Sequence, residues 1–247
     1  MDKMIRLSKS VIGEAEKKAV LKVLDKEYLG MGEEVHVFEK ELSKIFNREA
    51  ICVSSGTAAI QLAIEACNIG YNDEVLVPSL TYVATFQAIK ATGARPISCD
   101  INEETCLIDL KDVRSKINER TKAIIPVHYT GGVGDLDELY SFAKEFKIRI
   151  IEDAAHAFGT VYKDKVIGSI GDIVCFSFDG IKNITSGEGG CIVSKDKKII
   201  ERVKNSRLLG VEKDSNKRYL NSRSWDFNVI KQGWRYHMSN IMAAIGI

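Results

Sequence analysis

The sequence lacks an excess of charge of either sign: 35 Lys+Arg stand against 34 Asp+Glu, a net +1 over 247 residues. That balance argues against recognition of nucleic acid or an anionic membrane through a general positive field, while leaving room for a local anion pocket. Long apolar runs are also missing, and none approaches the roughly 18 residues that a membrane span requires. The first ten residues alternate charged and apolar side chains and hold no hydrophobic signal core, so the expectation is a cytoplasmic protein. None of the six cysteines, Cys52, Cys67, Cys99, Cys106, Cys175 and Cys191, stands at C-x-x-C spacing from another. Several lie in apolar runs where a reduced thiol packs as a small hydrophobe. Neither a disulfide framework nor a zinc site is supported, and no ligand-spaced set of His, Cys and carboxylates accompanies His128 or His156. Low-complexity segments and internal repeats are absent as well.

What is present is the composition of an ordinary globular protein, 45% hydrophobic and 28% charged. Apolar residues recur at helical spacing over 13–24 and 35–46, with the Gly30-Met31-Gly32 turn between. Residues 1–35 thus form a lead-in helix and turn. An apolar run at 50–53 then enters Ser54-Ser55-Gly56-Thr57 and a helix over 58–67, giving strand, tight turn and helix. The unit repeats in kind: strands at 74–77, 95–99, 123–127 and 148–151 alternate with helices at 82–91 and 136–146. Alternation of this sort predicts a mostly parallel sheet covered by helices on both faces, a three-layer α/β/α arrangement.

Past Gly159 the pattern changes to strands at 161–167, 173–178 and 190–194 separated by turn residues. A helix over 197–209 closes at Gly210, and the polar stretch 212–223 reads as an exposed loop. The last residues, 239–247, begin an apolar, alanine-rich helix with Ser239 or Asn240 as N-cap. No glycine cap, basic turn or polar tail follows, so the chain reads as ending inside a packed element.

Three features could carry chemistry. At Ser55-Gly56-Thr57 the first N–H groups of a helix have no internal partner and glycine permits close backbone approach, which suits a phosphate but equally an ordinary N-cap turn. Asp153 ends an apolar strand, placing a carboxylate at the carboxyl edge of the sheet, where α/β proteins bind ligands; capping of a following helix is the alternative. His156 shares its face if a helix begins there. Lys182 lies between the buried strand ending Phe176-Ser177-Phe178 and the turn Gly187-Glu188-Gly189-Gly190, where desolvation would make its amine nucleophilic, although a solvated loop lysine would look the same. Together they match what pyridoxal 5'-phosphate needs: an amine for the aldehyde, a carboxylate for the ring nitrogen and a helix N-terminus for the phosphate. Tyr82 could stack on the ring.

With these landmarks on the page, namely Ser55-Gly56-Thr57-Ala58-Ala59, Pro78-Ser79-Leu80-Thr81-Tyr82, Pro126-Val127-His128, Glu152-Asp153-Ala154-Ala155-His156 and Ser177-Phe178 through Lys182-Asn183 to Glu188-Gly189-Gly190, the chain resembles the DegT/DnrJ/EryC1/StrS family of fold-type I aminotransferases acting on nucleotide-linked keto-sugars. The resemblance implies the cofactor-binding large domain of that fold over residues 1–247, without the family's small C-terminal domain. It implies Lys182 as the lysine bonded to the cofactor and Asp153 as the ring-nitrogen partner, these two being catalytic. His156 would lie near the phenolic oxygen and Tyr82 would stack on the ring, while Gly56, Thr57 and Ser177 would contact the phosphate.

Two departures stand out. Gly233-Trp234-Arg235-Tyr236-His237-Met238 places Arg235 where the family often has an Asn that reaches the neighbouring subunit's phosphate, so Arg235 is expected to bind that phosphate from the partner subunit. The missing C-terminal domain is the other. The implied activity is transfer of an amino group from glutamate to a nucleotide-linked keto-sugar, in amino-sugar biosynthesis for a surface polysaccharide such as lipopolysaccharide or for a secondary metabolite, by a homodimer with shared active sites. A dehydratase of the same family would carry histidine in place of Lys182. The alternative kept open is a truncated, catalytically incomplete cofactor-binding fragment, or a regulatory or dimerisation module.

Overall fold

The structure, a computed structural model, describes residues 8–211 and 228–247. The loop expected at 212–223 lies outside the described residues. Two helices lead in, α1 (Glu14–Asp25) and α2 (Glu33–Phe46). They are followed by β1 (Glu49–Val53), α3 (Gly56–Ala66), β2 (Glu74–Pro78), α4 (Val83–Ala91), β3 (Arg95–Cys99), α5 (Leu110–Lys116) and β4 (Thr121–Ile124). The second half runs α6 (Leu136–Phe146), β5 (Arg149–Asp153), β6 (Val161–Tyr162), β7 (Lys165–Val166), β8 (Ile173–Ser177), β9 (Gly190–Ser194), α7 (Lys197–Ser206) and α8 (Asn240–Gly246).

Seven strands form one sheet in the order β1-β9-β8-β5-β4-β2-β3. β8, β5, β4, β2 and β3 pair in parallel, and β9 runs against both of its neighbours, so β1 again points the same way as β8. Six strands therefore deliver their carboxyl ends to one edge of the sheet. Both faces are covered, as expected for a mostly parallel sheet. On one face α2, α5, α6 and α8 contribute Phe38, Leu42, Phe46, Val113, Leu139, Phe142 and Ala243 to a core with Ile150, Val174 and Phe176. On the other, α3, α4 and α7 contribute Ala59, Leu62, Ala63, Ile89, Ile199 and Val203 to a core with Ile151, Ile173 and Cys175.

The helices show why the sequence builds these layers. α3 is apolar nearly all round and is buried nearly all round, with Ala58, Ala59 and Ala63 small enough to seat it closely on the sheet. α6 buries one stripe, Leu136, Leu139, Phe142 and Ala143, and is closed by Asp135, whose carboxylate accepts the Glu138 amide at 3.0 Å, and by Lys147 in the left-handed region. α8 is capped by Ser239, whose hydroxyl accepts the Met242 amide. All six cysteines are free, and burial pushes the Cys67 thiol up to about 11.

Several expectations change. The single strand expected over 161–167 is a hairpin of β6 and β7, turned by Lys163 and Asp164 with φ of 47° and 63°, and it forms a sheet of its own. The helix expected over 197–209 stops at Ser206, because Leu208 instead pairs with Arg235. The strand expected over 123–127 ends at Ile124, leaving Val127 in an isolated bridge to Asp153. α5 and a 3-10 turn at Tyr129–Gly131 were not signalled by periodicity; α5 buries only Val113. No helix among the described residues is long and apolar enough to cross a membrane.

Candidate active site

The candidate residues lie on the loops that leave the carboxyl edge of the sheet: 54–57 after β1, 79–82 after β2, 154–156 after β5 and 178–189 after β8. Strand alternation sorts their side chains. Glu152 and Asp153 are neighbours in sequence and point to opposite faces. Glu152, fully buried, turns toward α6, where its carboxylate meets His128 Nε2 at 2.7 Å and accepts from the Tyr140 hydroxyl at 2.5 Å. Tyr140 in turn accepts the Asp172 amide at 2.7 Å, and burial together with the Glu152 carboxylate raises its phenol. His128 thus belongs to a satisfied buried network beneath the edge.

Asp153, 6% exposed, turns instead toward α4. Its Oδ2 accepts from the Thr85 hydroxyl at 2.8 Å and its Oδ1 from the Ala155 amide at 3.2 Å. The backbone on each side is held too, the Asp153 amide donating to Pro126 and the His128 amide to the Asp153 carbonyl. No helix starts here: residues 154–160 are turns, so the helical face imagined for Asp153 and His156 does not exist. The two are nonetheless electrostatic neighbours. His156 is exposed by surface area, with its ring centroid 6.3 Å from that of Tyr129 and partial desolvation from its surroundings. Its pKa lies below the ordinary value, first because of that desolvation, then because of the Lys182 charge, with Asp153 opposing. A lysine 26 positions beyond His156 in the chain is therefore felt at the same ring as Asp153.

Lys182 is half-buried in the β8–β9 loop. Asp179 shapes that loop: its carboxylate accepts the Ile181 amide at 3.1 Å and its carbonyl the Lys182 amide at 3.0 Å. The loop base is closed by Phe178, which donates to the Gly189 carbonyl and accepts from the Ser186 amide. Asn183 reaches across to the Phe158 carbonyl at 2.7 Å, tying the lysine loop to the turns after Asp153.

Ser55 caps α3, accepting the Ala58 amide at 3.1 Å, which leaves the Gly56 and Thr57 amides without a partner among the described residues. A β-carbon on Gly56 would lie 2.8 Å from the Ser177 Cβ, so the helix start and the end of β8 touch only because this position is glycine. Tyr82 precedes α4 with its ring 78% exposed and in contact with no other ring among the described residues. Arg235 is exposed on a segment that follows β1: Leu208 bridges Arg235, Val53 bridges His237, and the Ser54 amide donates to the Tyr236 carbonyl. The structure thus brings Asp153, His156 and Lys182 into one field and Gly56 and Ser177 into contact, while the Tyr82 and Arg235 side chains extend into solvent. Thr85 and Asp179 were not singled out by the sequence.

Comparison with known proteins adds a second line. Residues 10–247 match the DegT/DnrJ/EryC1/StrS aminotransferase family. Among curated proteins, the chain is 41% identical over 237 residues to the uncharacterized protein MJ1066 of Methanocaldococcus jannaschii. It is 37% identical over 238 residues to the spore coat polysaccharide biosynthesis protein SpsC of Bacillus subtilis. Each alignment covers 96% of this chain and 61% of the relative, so the chain spans about three-fifths of the length of these relatives. Among solved structures, the sugar aminotransferase CalS13 of Micromonospora echinospora superposes with a TM-score of 0.90 at 31% identity, covering 98% of this chain and 67% of that one. The PLP form of Spr1654 of Streptococcus pneumoniae superposes with a TM-score of 0.88 at 31% identity, covering 98% and 65%.

Proposed function

This chain belongs to the DegT/DnrJ/EryC1/StrS aminotransferase family, and on that premise we propose that it binds pyridoxal 5'-phosphate and serves transfer of an amino group from glutamate to a nucleotide-linked keto-sugar. Residues 1–247 are read as the cofactor-binding large domain. The observation that carries the reading is geometric: Gly56 at the start of α3 touches Ser177 at the end of β8, on the sheet edge from which the Asp153 turn and the Lys182 loop also leave.

The residues present fit the cofactor. The amides of Gly56 and Thr57, without a partner among the described residues, open a helix whose start touches Ser177 at the end of β8, and free amides at a helix start beside a hydroxyl suit a phosphate. When bound, the cofactor supplies a pyridine ring that, protonated at its nitrogen, withdraws electrons from the substrate carbon. The chain's own groups would do the rest. Lys182 Nζ would hold the aldehyde carbon and, once released, carry a proton to and from the substrate carbon. The Asp153 carboxylate would accept the ring N–H, keeping that nitrogen protonated. His156, held neutral by its lowered pKa, could share a hydrogen bond with the phenolic oxygen without adding charge. Tyr82 would cover one face of the ring, and the partner subunit's Arg235 would add a bidentate donor to the phosphate within a cytoplasmic homodimer.

The test is to load the protein with pyridoxal 5'-phosphate and add glutamate. Loss of the cofactor's visible band with release of stoichiometric 2-oxoglutarate supports amino transfer. Cofactor uptake without that response supports the narrower reading, a binding unit that does not turn over. No uptake at all contradicts both.

A further inference from the structure

Thr85 is fully buried in the first turn of α4, an unusual place for a hydroxyl on a helix whose other buried residues are Ala88 and Ile89. A buried hydroxyl needs partners, and this one has two: Asp153 Oδ2 at 2.8 Å and the Thr81 hydroxyl at 2.7 Å. The chemistry of the three groups fixes the direction of both bonds. An ionised carboxylate has no proton to give, so the one hydroxyl proton of Thr85 goes to Asp153. Thr85 can then only accept from Thr81, and the chain of donation runs Thr81 to Thr85 to Asp153.

The second carboxylate oxygen is held independently by the Ala155 amide at 3.2 Å. With one donor on each oxygen, the carboxylate cannot turn about its Cβ–Cγ bond without losing a bond, and each oxygen retains a lone pair. Remove Thr85 and only the longer bond to Ala155 still orients the group. Thr81 and Thr85 stand four positions apart, one beyond β2 and one inside α4, so the relay also ties the loop bearing Tyr82 to the end of β5.

We propose that Thr85 is a positioning residue for Asp153, aiming the carboxylate at the pyridine nitrogen, with Thr81 holding Thr85 in its donating rotamer. This rests on the reading of Asp153 as the ring-nitrogen partner. Wild type, Thr85→Ser and Thr85→Val are each titrated with pyridoxal 5'-phosphate labelled with 15N at the ring nitrogen, reading both the dissociation constant and the ring 15N shift, with circular dichroism as a check of folding. Thr85→Val is expected to weaken binding about tenfold, the size of one lost hydrogen bond to a charged group, and to move the ring 15N resonance toward the unprotonated position. Thr85→Ser, which keeps the hydroxyl, is expected to stay within about twofold of wild type with an unchanged shift. Thr81→Val leaves the Thr85 proton in place and is expected to weaken binding less than Thr85→Val.

Wild-type affinity and shift in Thr85→Val, or equal losses in Thr85→Ser and Thr85→Val, would overturn the positioning role while leaving the cofactor reading intact. A larger loss in Thr81→Val than in Thr85→Val would overturn the direction of the relay. If wild type itself takes up no cofactor, the reading beneath the proposal has failed and the proposal falls with it.

Discussion

Gly56 and Ser177 stand so close that a β-carbon on the first would lie 2.8 Å from the β-carbon of the second. The contact joins the start of α3, leaving β1, to the end of β8, two strands that are not neighbours in the sheet. Two of the donors proposed for the phosphate, the Gly56 amide and the Ser177 hydroxyl, are thereby set by one close approach.

The first prediction concerns that contact. Gly56→Ala forces the helix start and the strand end apart, at about 1–3 kcal/mol of stability for overpacking. Cofactor affinity is expected to fall at least tenfold, while Ser177→Ala, which removes one donor and adds no atom at the contact, should weaken binding with little effect on stability. Urea unfolding and cofactor titration of the two variants separate these effects. Equal affinity in wild type and Gly56→Ala would contradict the placement of the phosphate.

The second follows from His156. Its pKa is lowered first by desolvation and then by the Lys182 charge, so the protonated form is disfavoured near neutral pH. A proton NMR titration is expected to find its midpoint below 6.5 in the wild type. In Lys182→Ala the midpoint should rise yet stay below the ordinary value, since desolvation, the larger cause, remains. A midpoint unmoved by the substitution would show that the two groups do not share a field.

A third prediction lies outside the site, in the buried pair of Arg207 and Glu39. Arg207 Nη1 donates to Glu39 Oε1 and to the Cys52 carbonyl, both at 2.5 Å, and Glu39 Oε1 also accepts the Cys52 amide at 2.9 Å. Side chains of α2 and of the residue capping α7 thus satisfy the outer edge of β1, where another strand would otherwise pair. Burial by itself would raise the Glu39 carboxyl; Arg207, His36 and the Cys52 amide outweigh it and hold the carboxyl below the usual 4.5. With the folded value depressed, the stabilisation is complete above about pH 4.5 and is lost as pH falls through the folded value. Arg207→Met leaves the buried carboxylate without its guanidinium, held by the Cys52 amide and His36, and should cost about 3–5 kcal/mol at neutral pH. In Glu39→Gln the acid-side fall in stability should be shallower than in wild type. Chemical denaturation between pH 3 and pH 7 checks both, and identical slopes for Glu39→Gln and wild type would contradict the assignment.

The sequence made parts of this architecture legible and hid others for physical reasons. The apolar strands, the strand–turn–helix at Gly56 and the strand-end carboxylate at Asp153 are local signals, and the alternation of β5 separates Asp153 from Glu152 without further information. The hairpin at 161–166 was hidden because its left-handed turn residues are Lys163 and Asp164 rather than glycine. The early end of α7 depends on pairing with Arg235, 27 positions beyond Leu208, which no periodicity within the helix can register. Thr85 was invisible for a similar reason. Nothing in a helical threonine announces a carboxylate 68 positions away, whereas Lys182 and Asp153 were visible through the residues that flank them.

The central claim is that Lys182 is the amine that holds pyridoxal 5'-phosphate, and borohydride trapping tests it most directly. The protein is loaded with the cofactor, reduced with borohydride, digested and mapped by mass spectrometry. The account predicts a single pyridoxyl adduct on the peptide containing Lys182, and in Lys182→Ala no adduct there and no visible cofactor band. An adduct on another lysine, or an unchanged cofactor band in Lys182→Ala, would contradict it.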